Sequence, residues 1–173
     1  MNLALIFAGG TGTRMNSKTK PKQFLELNGK PIIIHTIELF ESHPEIDAIA
    51  VVCLESWIGY LNELLERFRI KKVKYVVPGG ETGQQSIRNG LTAFWDDQDI
   101  PRDSLVLIHD GVRPLINEDI ITRSIECAKQ YGNAITVTPA IETIITVSED
   151  DSVDQIMDRS KCRICLLYTS DAA

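Results

Sequence analysis

The chain has 173 residues, with 18 Lys plus Arg against 24 Asp plus Glu and a formal net charge of -6. Its 43% hydrophobic and 24% charged content supplies a core for one domain and excludes collagen-like, disordered and coiled-coil classes. No apolar run approaches the ~20 residues of a membrane span, no signal-peptide pattern opens the chain, and the acidic balance disfavours nucleic-acid binding by phosphate neutralisation.

Residues 3–8 (LALIFA) form a continuous apolar run closed by Gly9 and Gly10, the pattern of a buried parallel strand. Pro31 opens a helical pattern with Ile33, Ile37 and Phe40 on one face. Residues 48–54 (AIAVVCL) read as a second buried strand, and residues 57–68 place Trp57, Tyr60, Leu61, Leu64, Leu65 and Phe68 at helical spacing. A third strand is expected at 73–77. After Pro78-Gly79-Gly80 a helix is expected from about Gln84, carrying Ile87, Leu91 and Phe94.

Residues 105–108 read as the next strand, followed by a loop His109-Asp110-Gly111-Val112-Arg113-Pro114. Asn117 is a suitable N-cap for a helix over 118–131, with Glu118 and Asp119 favourable in its first turn. Residues 134–138 and 143–147 complete the strand-like set. Strands alternating with helices predict an α/β fold: a doubly wound, mostly parallel, Rossmann-like sheet covered on both faces. Ligands of such sheets lie beyond the carboxyl ends of the strands, so the loops after strands are where chemistry is expected.

The cysteines carry little signal. Cys53 lies in an apolar run and Cys127 in a helical pattern, where free Cys acts as a small hydrophobe. Cys162 and Cys165 form one C-x-x-C without the two further ligands of a structural zinc site. Reduced thiols of a cytoplasmic protein are the preferred reading.

The loop after the first strand, Ala8-Gly9-Gly10-Thr11-Gly12-Thr13-Arg14-Met15, has three glycines in four positions. Such a loop permits close backbone approach to a ligand and can form an anion-binding concavity. It matches neither G-x-G-x-x-G nor the P-loop, and alone is a weak signal. The first 25 residues, however, hold Arg14, Lys18, Lys20 and Lys22 and no acidic residue. That local excess suits a triphosphate, since Arg makes bidentate phosphate contacts and Lys supplies a point charge. Pro21 before Lys22, with Phe24 and Leu25 after it, argues for an anchored segment.

Taken together, A-G-G-x-G-x-R-M, then P-K-Q-F-L, then G-K-P-I-I-I-H-T-I resembles the CTP-dependent sugar-alcohol phosphate cytidylyltransferases. Their branches act on 2-C-methyl-D-erythritol 4-phosphate, in isoprenoid biosynthesis, and on ribitol 5-phosphate, in teichoic acid biosynthesis. The resemblance runs from Leu3 to about Arg159. It implies a Rossmann-like nucleotidyltransferase domain over 1–160 and CTP cradled by Phe7, Ala8, Gly9, Gly10, Thr11, Gly12 and Thr13. Arg14 and Lys22 would stabilise charge on the α-phosphate and leaving pyrophosphate. The segment Gly79-Gly80-Glu81-Thr82-Gly83-Gln84-Gln85-Ser86 matches the loop that reads base and ribose, with Ser86 as the side-chain contact. Read without the resemblance, the same segment is a Gly-Gly turn capped by Ser86.

H-D-x-x-R-P matches His109 to Pro114, where Asp110 would bind Mg²⁺ or a ribose hydroxyl. Arg113 reads as a structural partner and His109 as a packed strand-end residue. Glu142-Thr143-Ile144 resembles a D-T-I segment in which Thr143 would contact the acceptor, and Arg159 of Asp158-Arg159 would position the acceptor phosphate. Two departures stand out: Gly83 where the family commonly has arginine, and Ile145 where the methylerythritol branch has lysine. The second, with the opening motifs, favours the ribitol branch.

Beyond Arg159 the family continues through P-Q-x-F and I-K-x-T, whereas residues 161–173 do not align and read as an off-pattern tail. The expectation is therefore a domain lacking its C-terminal elements, with weak or no turnover, and in full length a homodimer through an arm over 139–160. A molybdopterin-type nucleotidyltransferase and a module that binds CTP without turnover are the alternatives.

Overall fold

The computed structural model describes residues 1–9 and 20–165. Four parallel strands form the centre: β1 (Asn2–Ala8), β4 (Ala48–Cys53), β5 (Val73–Pro78) and β6 (Leu105–Asp110), in the order β5-β4-β1-β6. Between β1 and β4 come a two-stranded ribbon, β2 (Glu26–Leu27) with β3 (Lys30–Pro31), and helix α1 (Ile32–Ser42). Helices α2 (Ile58–Arg67), α3 (Gly83–Trp95) and α4 (Glu118–Tyr131) follow β4, β5 and β6 in turn.

Alternation along the strands builds two cores. Ala4, Ile6 and Ala8 of β1 join Ile49, Val51 and Cys53 of β4 under α1, α2 and α4. Leu3 and Leu5 join Ala48, Ala50 and Val52 on the opposite face, under Phe94 of α3. Period-two alternation inside a continuous apolar run is what burial on both faces produces. Chain order reverses beside β1, because β6 returns to its far side after β4 and β5 have been laid on the near side. Open α/β sheets bind ligands at such a reversal.

The structure moves several expected boundaries. The strand expected at 105–108 extends through His109 and Asp110, because they continue the ladder opposite Ile6 and Phe7. Helix α3 begins at Gly83, one residue before the expected Gln84, and is capped by Thr82, whose hydroxyl accepts from Gln85 N.

The expected strands at 134–138 and 143–147 stay out of the parallel sheet. They appear as β7 (Val137–Pro139) and β8 (Ile145–Val147), paired antiparallel with β10 (Arg163–Cys165) and β9 (Val153–Ile156). An apolar run predicts extended backbone but not its partner, and both pairs have side chains largely facing solvent.

Candidate nucleotide site at the strand ends

The carboxyl ends of β1, β5 and β6 meet through backbone contacts that leave no room for side chains. A β-carbon on Gly9 would sit 3.0 Å from Ser86 Oγ, and one on Gly79 would sit 3.2 Å from Gly9 Cα. Gly79 N donates to Cys53 O at 2.8 Å, so the turn leaves β5 while still tied to β4. The glycines here serve close approach, since neither carries a positive φ.

Ser86, on the first turn of α3, is 3% exposed. Its hydroxyl donates to Thr82 O and accepts from Gly80 N, both at 3.0 Å. The turn is thus held by Ser86 and the helix capped by Thr82. Gln85 N donates to Thr82 Oγ1, and Gln85 Oε1 accepts from Glu81 N. That arrangement is close to a capping box, with T-x-x-Q as its sequence signal. Glu81, Gly83 and Gln84 are exposed at the rim, while Gly80 packs under the Gln85 side chain.

On the other side of β1, Gly111 N donates to Phe7 O at 2.9 Å, and Gly111 O accepts from Thr36 Oγ1 of α1 at 3.0 Å. Asp110 accepts from Val112 N at 3.1 Å and forms an ion pair with Arg113 Nε at 3.2 Å. Arg113 is therefore the loop partner that its position in H-D-x-x-R-P implied. His109 is 4% exposed, hydrogen-bonded through its ring to Arg113 O at 2.9 Å and packed against Phe40. Burial pushes its pKa down against the opposing pull of the Arg113 carbonyl, which suits a neutral packed residue.

The P-K-Q-F segment is a single 3₁₀ turn, Lys22–Phe24. Phe24 is fully buried, stacked on Trp57 with centroids 4.9 Å apart and meeting Tyr60 edge-on at 5.4 Å. The expected apolar anchor is present at Phe24. Sequence reading missed Gln23, whose side-chain amide donates to Ala8 O at 2.7 Å. It also missed Thr36.

Phe7, Ala8, Gly9, Gly80, Ser86 and Asp110 are thus brought together at the carboxyl end of the sheet. Gly10, Thr11, Gly12, Thr13 and Arg14 lie outside the described residues. Thr143 and Arg159 fall in the antiparallel region, where Arg159 Nη1 donates to Ile141 O at 3.3 Å. Among the described residues, no hydrogen bond or ion pair joins them to the strand-end cluster, no group of three His, Cys, Asp or Glu side chains is poised to hold a metal, and no helix is long and apolar enough to cross a membrane.

A parallel α/β sheet with glycine-packed turns at its point of strand reversal is of the Rossmann-like class, whose ligands bind at such a reversal. Residues 2–166 match the sequence model of the 2-C-methyl-D-erythritol 4-phosphate cytidylyltransferase family, and the chain belongs to that family. It is 58% identical over 164 residues to a ribitol-5-phosphate cytidylyltransferase of Vibrio parahaemolyticus, covering 95% of this chain and 68% of the relative. It is 52% identical over 161 residues to one of Streptococcus agalactiae, covering 93% and 66%.

A 2-C-methyl-D-erythritol 4-phosphate cytidylyltransferase of Clostridium acetobutylicum is 41% identical over 162 residues, covering 93% and 68%. The solved 4-diphosphocytidyl-2C-methyl-D-erythritol synthase of Anaerococcus prevotii superposes with a TM-score of 0.75 at 26% identity, covering 94% of this chain and 66% of that one. The chain thus spans about two thirds of the length of these relatives.

Proposed function

We propose that the protein transfers a cytidylyl group from CTP to a sugar-alcohol phosphate, most specifically ribitol 5-phosphate, releasing pyrophosphate. The convergence of Gly9, Gly79 and Ser86 at the end of β1 carries the nucleotide half of this reading. The acceptor half rests on 58% and 52% identity to proteins named for ribitol 5-phosphate, against 41% to one named for methylerythritol phosphate.

The Ser86 proton is committed to Thr82 O and one lone pair to Gly80 N. What remains of the hydroxyl can only accept. That matches the 4-amino donor of cytosine and opposes the carbonyl of uracil. Backbone of Phe7 to Gly9 and Gly80 to Gly83 would line the rest of the nucleotide cradle, with Gly10 to Thr13.

In the reaction an acceptor phosphate oxygen attacks the α-phosphorus in line. The new P–O bond forms as the bond to the bridging oxygen breaks, and pyrophosphate leaves with that electron pair. Such displacement depends on positioning and charge stabilisation, the work assigned to Arg14 and Lys22, with Arg159 and Thr143 on the acceptor. Asp110 fits Mg²⁺, because one carboxylate with phosphate oxygens and water is a donor set this ion accepts. Bound there, Mg²⁺ would neutralise phosphate charge; Asp110 and the loop held by Arg113, Gly111 and Thr36 orient the carboxylate.

The same reading places the nucleotidyltransferase domain at 1–160, in the cytoplasm, as a homodimer of the whole protein. The β8–β9 hairpin supports the dimer by exposing Ile145, Val147, Val153 and Ile156. Calorimetry with CTP and UTP in Mg²⁺ tests the nucleotide half: CTP must bind, and UTP at least about tenfold more weakly. Pyrophosphate release with ribitol 5-phosphate against methylerythritol 4-phosphate tests the acceptor. Faster release with the latter would reverse the assignment.

A further inference from the structure

We infer that Gln23 is the positioning residue for Lys22, fixing the direction in which its ammonium group meets the triphosphate. The inference rests on the nucleotide reading proposed above. Gln23 is 1% exposed, and its amide donates to Ala8 O across fifteen positions of sequence. Ala8 is the last residue of β1, next to Gly9 and the Ser86 contact. The bond therefore ties the lysine segment to the strand end that forms the cleft.

The turn itself makes the tie directional. In a 3₁₀ helix successive side chains stand about 120° apart. Lys22, Gln23 and Phe24 occupy one such turn, with Leu25 N donating to Lys22 O at 3.2 Å. Phe24 is locked in the Trp57–Tyr60 aromatic box, and Gln23 is locked to Ala8 O. With two of three directions set, the third belongs to Lys22, which is half-buried and forms no ion pair among the described residues. A long flexible stem gains most from a fixed base, because orientation then costs less entropy on binding.

The test is binding of CTP and of cytidine to the 173-residue chain, for the parent, Gln23→Met, Gln23→Glu, Lys22→Met and Gln23→Met/Lys22→Met, with folding checked by far-UV circular dichroism. Gln23→Met is expected to weaken CTP about tenfold and cytidine less than about twofold, and to lose that effect once Lys22 is gone. Gln23→Glu keeps the shape but cannot donate when ionised, so at a pH where its carboxyl is charged it must weaken CTP at least as much as Gln23→Met does. The proposal is overturned by unchanged CTP affinity, by equal weakening of CTP and cytidine, or by an undiminished effect in the Lys22→Met background. Unfolding of both Gln23 variants would make the residue structural and also overturn it. A folded parent that fails to bind CTP removes the nucleotide reading itself, whereas a binding parent with indifferent variants removes only the positioning role.

Discussion

The Ser86 hydroxyl lies 3.0 Å from the point a β-carbon on Gly9 would occupy. Alanine at position 9 therefore has to move Ser86 or the end of β1, and either shift disturbs the bonds to Gly80 N and Thr82 O. We expect Gly9→Ala to cost about 1 kcal/mol of stability, measured by urea denaturation. Calorimetry should show a larger loss in CTP affinity, and undiminished CTP binding would disprove the close-packed cleft.

Gly90 of α3 faces the sheet, and a β-carbon there would lie 2.7 Å from Leu5 Cδ1 and 2.8 Å from Val52 Cγ2. Both neighbours are fully buried. Alanine usually improves a helix by roughly 0.5–1 kcal/mol, but overpacking costs about 1–3 kcal/mol. Net destabilisation is expected for Gly90→Ala, and a rise in urea midpoint would contradict the packing.

Asp97 accepts from both Lys74 Nζ and Tyr75 Oη, fastening the segment after α3 to β5. Lys74, then Tyr75 and the Asp99 amide, draw its pKa down from 3.8 to about 2. Between those values the unfolded chain binds more protons than the folded one. The contribution is therefore complete above pH 4 and drains away as pH falls toward 2. Asp97→Asn should lower Tm at pH 7 and converge with the parent in acid; parallel melting curves across that range would refute the linkage.

Cys53 sits in β4 with no exposed surface, and burial pushes its thiol up to about 11, only partly offset by the Leu54 backbone. Thiol reagents at pH 8 should leave Cys53 unlabelled in the folded chain and modify it promptly in denaturant. Cys127 and Cys162 are partly exposed and are expected to react first. Peptide mapping by mass spectrometry distinguishes them, and early labelling of Cys53 would place the core assignment in error.

The strands of the centre were legible because two-sided burial writes itself as uninterrupted apolar runs: LALIFA and AIAVVC each become a buried strand. Residues 134–147 show the limit of that signal. Val137 and Ile145 are apolar yet exposed, and their antiparallel partners follow from chain geometry rather than from composition. At the site, the glycine-rich turns are legible by spacing, and Ser86 through the resemblance. Thr82 opens T-x-x-Q, a readable capping pattern for α3. Gln23 had no local pattern at all, because a glutamine is marked as buried and bonded only by the distant carbonyl it meets.

The placement of β1 has a kinetic consequence. Leu3 stands opposite Ala48 on one side and Val106 on the other, so the second pairing closes a loop more than twice as long as the first. Longer closure costs more entropy and slows the step that depends on it. The pairing with β6 is the costlier of the two closures of β1, and the sheet around the end of β1 is complete only once it has formed. A nucleotide binding there, as proposed, would need the finished sheet and would hold it by mass action.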